Sequence, residues 1–174
     1  MPSSRFLISS QTLGSAAASV TFSSIPASYT DLVLKVSVRT DFGSLVDTIG
    51  ITFNGATTNY SDTNINTNSS SGSGGSSRST GLAYINGFRA AVGSTATSST
   101  FSNAEFYIPS YTASQNKPMS EFNVSENNDT TAYISAVAGL WSNTAAITSI
   151  VLNSINSANF VSGSSFYLYG LKAS

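Results

Sequence analysis

Between residues 32 and 39 the chain reads Leu32-Val33-Leu34-Lys35-Val36-Ser37-Val38-Arg39. Leu32, Leu34, Val36 and Val38 fall on one side, Lys35, Ser37 and Arg39 on the other. A repeat of two residues is the geometry of a half-buried β-strand. The same style recurs along the chain. Val20 and Phe22 alternate with Thr21 and Ser23 ahead of Ile25-Pro26, and Ile49, Ile51 and Phe53 alternate with Gly50 and Thr52 ahead of the turn dipeptide Asn54-Gly55. Further strands are expected over 101–108, closed by Pro109, at Phe122 and Val124, over 133–141, over 147–152 and over 166–171. The 133–141 segment is apolar on both faces, which suits a central or covered strand. Ala16-Ala17-Ala18 and Ala145-Ala146 favour helix on propensity, but each run is too short to nucleate one. Nine or ten short strands with Gly, Asn and Ser turns predict an all-β fold. The expected form is an antiparallel β-sandwich with jelly-roll connectivity, and a closed barrel is the alternative.

A single domain over 1–174 is expected, with an N-terminal arm over about 1–10 and a flexible Ser/Gly loop over about 66–80. The loop is centred on Ser69-Ser70-Ser71-Gly72-Ser73-Gly74-Gly75-Ser76-Ser77-Arg78-Ser79. The apolar Phe6-Leu7-Ile8 lies outside any obvious hairpin, which makes these three residues candidate assembly contacts by strand addition to a neighbouring sheet edge. The N-terminal apolar run is too short for a signal peptide, so synthesis and folding in the cytoplasm of the cell that makes the chain are expected. No apolar stretch reaches the length of a membrane span.

Composition closes most catalytic routes. The 174 residues include no His and no Cys, which excludes a Ser-His-Asp triad, an imidazole or thiolate metal site and a Cys nucleophile. Lys and Arg number 7 against 8 Asp and Glu, so there is no electrostatic footprint for nucleic acid or an anionic membrane. Charged residues make up only 9% of the chain, and Ser and Thr about a third, so polarity is carried by hydroxyls and amides. Such a composition suits a subunit interface, where Tyr is enriched and Lys and Glu are depleted.

Three motifs carry weaker chemistry. Asp62-Thr63-Asn64-Ile65-Asn66-Thr67-Asn68 opens with the cadence of a calcium loop. It then fails, with Thr67 where the turn needs Gly and Ser73 where a bidentate Glu belongs. Gly72-Ser73-Gly74-Gly75 lacks the Lys-Ser/Thr of a phosphate-binding loop. Carboxylate pairs could serve a glycosidase without His, and Asp41 with Asp47, or Glu121 with Glu126 and Asp129, are the candidates. Acids at strand ends are usually solvated, and no enzyme activity and no cofactor are expected. Among the aromatics, Phe6, Phe22, Phe53, Phe106, Tyr133, Trp141, Phe160 and Phe166 have core patterning. Tyr60, Tyr107 and Tyr111 are candidate surface-binding aromatics, and Tyr167 and Tyr169 are further candidates for exposure.

Three stretches together resemble tailed-phage virion proteins, especially those of phages of marine bacteria and cyanobacteria. They are the opening Ile8-Ser9-Ser10-Gln11-Thr12-Leu13-Gly14-Ser15-Ala16-Ala17-Ala18-Ser19-Val20-Thr21-Phe22, the segment Ser24-Ile25-Pro26-Ala27-Ser28-Tyr29-Thr30-Asp31-Leu32-Val33-Leu34 continuing through Arg39, and the ending Ser164-Ser165-Phe166-Tyr167-Leu168-Tyr169-Gly170-Leu171. Asn54-Gly55 followed by Asn59-Tyr60-Ser61 is similar to that group as well. The resemblance implies a non-enzymatic structural protein of the particle's exterior, a capsid decoration (cement) protein or a fibre component. The resemblance does not separate capsid from tail. A short chain with no recognisable shaft or coiled coil favours capsid decoration, with the capsid surface of the virion as location, the major capsid protein as partner and a homotrimer as assembly state. The alternative it leaves open is a carbohydrate-binding receptor module of a head or tail fibre, directed at host-surface glycans.

Overall fold

The computed structural model describes residues 4–68, 74–128 and 132–172, and among them every regular element is a strand. In chain order these are β1 (Ser4–Thr12), β2 (Ser19–Phe22), β3 (Asp31–Val38), β4 (Val46–Phe53), β5 (Tyr60–Asn68), β6 (Gly74–Leu82), β7 (Ile85–Val92), β8 (Ser102–Ile108), β9 (Lys117–Ser125), β10 (Tyr133–Trp141), β11 (Ile150–Ser154) and β12 (Ser165–Lys172). They form an eight-stranded sheet, β1-β12-β3-β8-β9-β10-β5-β6, and a four-stranded sheet, β2-β11-β4-β7. All pairings between these strands are antiparallel. The fold is an antiparallel β-sandwich.

The alternation in β3 sets the geometry of the larger sheet. Leu32, Leu34, Val36 and Val38 are buried, and so are their cross-strand partners Phe106 and Ala104 on β8 and Phe166 and Leu168 on β12. Facing them, β4 and β11 contribute Ile49, Ile51, Phe53, Ile150 and Leu152, so one apolar cluster runs through both sheets. Phe53, Tyr60 and Trp141 meet in this core, the last two stacked with centroids 6.1 Å apart. Phe160 meets Phe166 edge-on at 5.0 Å. β7 reaches furthest across the larger sheet, packing on β8, β9, β10 and β5. Gly139 on β10 permits that approach, since a Cβ there would stand 2.8 Å from the Ile85 side chain.

Two cations, the half-buried Arg39 and the buried Lys117, close the loops. The Arg39 guanidinium donates to the carbonyls of Ser94, Ala96, Thr97 and Thr100. The Lys117 ammonium donates to those of Ala113, Gln115 and Thr144. Burial of Lys117 holds its ammonium below the usual lysine range. Carbonyl oxygens that would otherwise face one another unpaired are satisfied in this way, with no carboxylate required.

Two regions differ from the sequence reading. The segment expected as an N-terminal arm over about 1–10 is, from Ser4, the edge strand β1. It pairs with β12 from Ser4↔Lys172 to Thr12↔Ser165, with a bulge between Leu7 and Ser9. Its alternation is weak because an edge strand lying beyond the smaller sheet has no face to bury. The flexible Ser/Gly loop expected over about 66–80 is instead largely paired backbone. Asn66 and Thr67 on β5 face Gly75 and Gly74 on β6, and residues 69–73 lie outside the described residues. Ladder hydrogen bonds come from the main chain, so a Gly/Ser edge strand can pair where side-chain propensity predicts none.

Candidate functional site: the open face of the large sheet

The smaller sheet covers one side of the eight-stranded sheet, and the other side faces solvent. Register places the outward residues in rows. Tyr167 (β12), Lys35 (β3), Glu105 (β8), Phe122 (β9), Ala136 (β10) and Ile65 (β5) form one row across six strands. The neighbouring row ends in Val124, Ile134 and Thr67. Ile65 is 63% exposed, Phe122 57% and Ile134 49%. For three large apolar side chains on adjacent strands this is a concentrated patch, unlike the scattered apolar exposure of an ordinary surface. They border a hollow of about 500 Å³ whose far wall is Gly74 and Gly75 of β6.

The pattern behind the patch is an inversion of polarity. On β9, Glu121, Asn123 and Ser125 point inward and are buried, while Phe122 and Val124 point out. On β10, Ser135 is inside and Ile134 outside, and on β5, Asp62 and Asn64 are inside and Ile65 outside. Ordinary half-buried strands do the reverse. The inward polar groups bind one another: the Asn123 amide donates to Glu121 Oε2 (3.0 Å) and to Ser135 Oγ (2.5 Å). The Asn86 amide and backbone N–H donate to Asp62 Oδ2. Desolvation pushes the Glu121 carboxyl up to about 9, so it is protonated near neutral pH.

The other half of the open face is polar. A hollow of about 280 Å³ is bordered by Lys35, Ser37, Asn103, Glu105 and Tyr167. Lys35 Nζ lies 2.9 Å from Glu105 Oε2, with Arg5 at 3.8 Å from the same oxygen. These ion pairs are nearly half exposed, so they orient side chains and add little stability. Tyr107 stands in the adjacent row, and its hydroxyl donates to Asp31 Oδ2 at 3.0 Å. Desolvation and the Asp31 carboxylate raise the Tyr107 phenol above its ordinary value, so it remains a donor.

The candidate residues read from the sequence separate accordingly. Tyr107 is on the open face, as are Tyr167 and Leu7, and Leu7 is 55% exposed. Phe6, expected in the core, is 44% exposed and rests against Tyr29, while Ile8 packs on the core. Tyr60 and Tyr111, expected as surface-binding aromatics, are buried. The Tyr60 hydroxyl takes the Phe53 N–H at 2.8 Å, and Tyr111 donates to the Pro26 carbonyl. Each phenol gives a core-facing ring a polar tip that satisfies buried backbone. Tyr60→Phe is therefore expected to cost about 1–3 kcal/mol by orphaning the Phe53 N–H. Thermal melting checks this, and any ligand or particle binding by the folded variant should be unchanged.

The candidate acids among the described residues each have partners of their own. Asp41 is exposed and accepts from the Asn159 amide and backbone N–H, which hold its carboxyl below the usual range. Asp47 is buried and accepts from the Thr48 N–H and the Asn156 amide. Glu126 accepts the Asn128 N–H, and Asp129 lies outside the described residues. The calcium-like cadence at 62–68 runs along β5, so Asp62 and Asn64 share the inward side of a strand and do not wrap around an ion. Phe122, Ile65 and Ile134 escaped the sequence reading because alternation separates two faces without saying which one is covered.

Comparison of the chain with protein-family models, with curated proteins and with solved structures finds no match in any of the three.

Proposed function

We propose that the protein is a non-enzymatic structural component of a tailed-phage virion, a capsid decoration protein that binds the outer surface of the major capsid protein shell and assembles as a homotrimer. The observation that carries this reading is the inverted polarity of β9, β10 and β5. It turns Phe122, Ile65 and Ile134 toward solvent while polar side chains occupy the interior. That arrangement forgoes burial of apolar side chains within the chain. It becomes favourable when another surface removes the patch from water, at roughly 25 cal/mol per Å² of apolar area buried. With 9% charged residues, little self-repulsion opposes close packing of copies on a shell.

Connectivity also supports the jelly-roll reading. Taking β2, β3, β4, β5, β6, β7, β10 and β11 as eight successive strands, the smaller sheet orders them first, eighth, third, sixth. The larger sheet orders the rest second, seventh, fourth, fifth, with the β8–β9 hairpin inserted after the second. β1 and β12 extend the larger sheet beyond that frame.

A second reading is a carbohydrate-binding receptor module of a head or tail fibre. The polar hollow beside Tyr167, with Asn103, Ser37 and the Lys35–Glu105 pair at its border, favours it. Copy number on purified particles separates the two. Decoration requires hundreds of copies per particle, and a few to a few dozen would replace it with a fibre or tail appendage.

A further inference from the structure

At one end of the sandwich the two sheets part around a pocket of about 160 Å³, lined by Thr48 on β4, Arg89 and Ala90 on β7, Asn66 on β5, and Tyr133 and Ser135 on β10. Its lining is unusual for the space between two sheets, where apolar side chains ordinarily interdigitate. Arg89 is half-buried and, among the described residues, has no ion pair and no hydrogen bond. Lys117, which is buried, and Arg39, half-buried like Arg89, are each held by several backbone carbonyls. Arg89 has no such enclosure, and its fork of donors is free.

Behind the pocket lies the polar network of β9. Ser135 is 3% exposed, accepts the Asn123 amide, and donates to no acceptor among the described residues. Asn123 and Glu121 are at least as deeply buried, and Asn123 Oδ1 and Glu121 Oε1 have no partner. Unsatisfied groups in a buried network cost roughly 1–3 kcal/mol each, an expense a purely structural interior avoids.

From this geometry we infer that the pocket binds a small sugar acid, a pyranose bearing a carboxylate, with the carboxylate on Arg89 and ring hydroxyls on Asn66, Thr48 and Ser135. The guanidinium fork matches a carboxylate through two parallel hydrogen bonds. The side-chain amide and hydroxyls can each donate or accept, as sugar hydroxyls require. Tyr133 adds an aromatic wall against which the C–H face of a ring can lie. With Glu121 protonated near neutral pH, no carboxylate charge from the network behind the pocket opposes an anionic ligand. The pocket lies between the sheets and shares Asn66 and Ser135 with the border of the open-face hollow, and its occupancy can be tested without a virion.

The test is calorimetric and NMR titration of the full chain with D-glucuronate, D-glucose and inorganic phosphate. Saturable glucuronate binding with a Kd below about 10 mM is expected, at least tenfold tighter than glucose. Arg89→Gln should weaken it at least tenfold with the melting temperature preserved, and Arg89→Lys, which keeps charge without the fork, should fall between. Ser135→Ala provides a second variant that retains the Arg89 charge and should bind more weakly. Failure of glucuronate to saturate, undiminished binding by Arg89→Gln, or phosphate binding tighter than glucuronate would each overturn the inference.

Discussion

Thermal stability of this protein is expected to fall as the pH rises from 5 to 9, and Glu121→Gln should flatten the curve. The carboxyl of Glu121 has an ordinary value of 4.5 and is pushed up to about 9 in the fold by burial between the sheets. Between those values the folded chain holds a proton that the unfolded chain has released. Stability therefore declines with pH, by about 1.4 kcal/mol per unit at the steepest. The contribution is fully present below pH 4.5 and lost as pH climbs through about 9. The chain contains no His, so no other side chain has its ordinary value inside that window. Lys117, held below its usual range, acts with the opposite sign, adding stability as pH rises toward that range. The net loss is on the order of several kcal/mol, against a total of about 5–15 kcal/mol for a typical domain. At roughly 2–4 °C per kcal/mol for a chain of this size, a drop on the order of 10 °C is expected. Melting curves at half-unit pH steps measure it, and equal slopes for wild type and Glu121→Gln would show that the carboxyl titrates normally.

The second large effect is expected on the open face. Phe122→Asp combined with Ile65→Asp should reduce binding to particles stripped of the protein by about 100-fold or more, because two central apolar anchors are replaced by charges that contact would have to desolvate. Both side chains are more than half exposed, so the variant should melt within a few degrees of wild type. Undiminished particle binding by the folded double variant would remove the apolar patch from the interface. Tyr107→Ala and Tyr167→Ala on the polar half form the contrasting pair. If these abolish attachment and a saturable glycan affinity together, the receptor-module reading replaces decoration.

Both predictions arise from the strands that sequence patterning describes least well. β3 and β10 are legible because apolar residues repeat every second position or fill both faces, and their observed bounds, Asp31–Val38 and Tyr133–Trp141, fall where those patterns end. β7, with Asn86, Gly87 and Arg89 breaking its apolar run, has no such signature, and β6 is written almost wholly in Gly, Ser and Thr. β9 was visible only as Phe122 and Val124, the two residues that turn out to face solvent, although the strand runs from Lys117 to Ser125. For the candidate site the difficulty is one of sign. β5, read from its Asp/Asn cadence as a loop, is a strand, and on β9 and β5 Glu121, Asn123, Asp62 and Asn64 occupy the side that a polarity rule assigns to water.

The amino-acid sequence determined, by itself, the all-β class and the absence of His- and Cys-based chemistry. These follow from residue identity and from the two-residue period, which are local properties of the chain. Only the tertiary structure decided which side of each strand is covered, that the Ser/Gly stretch from Gly74 pairs as an edge strand, and that Arg89, Asn66 and Ser135 meet around one pocket. Burial depends on what the other sheet happens to cover. The smaller sheet, four strands against eight, ends on β7, which crosses β8, β9, β10 and β5 and leaves the polar cleft beside it.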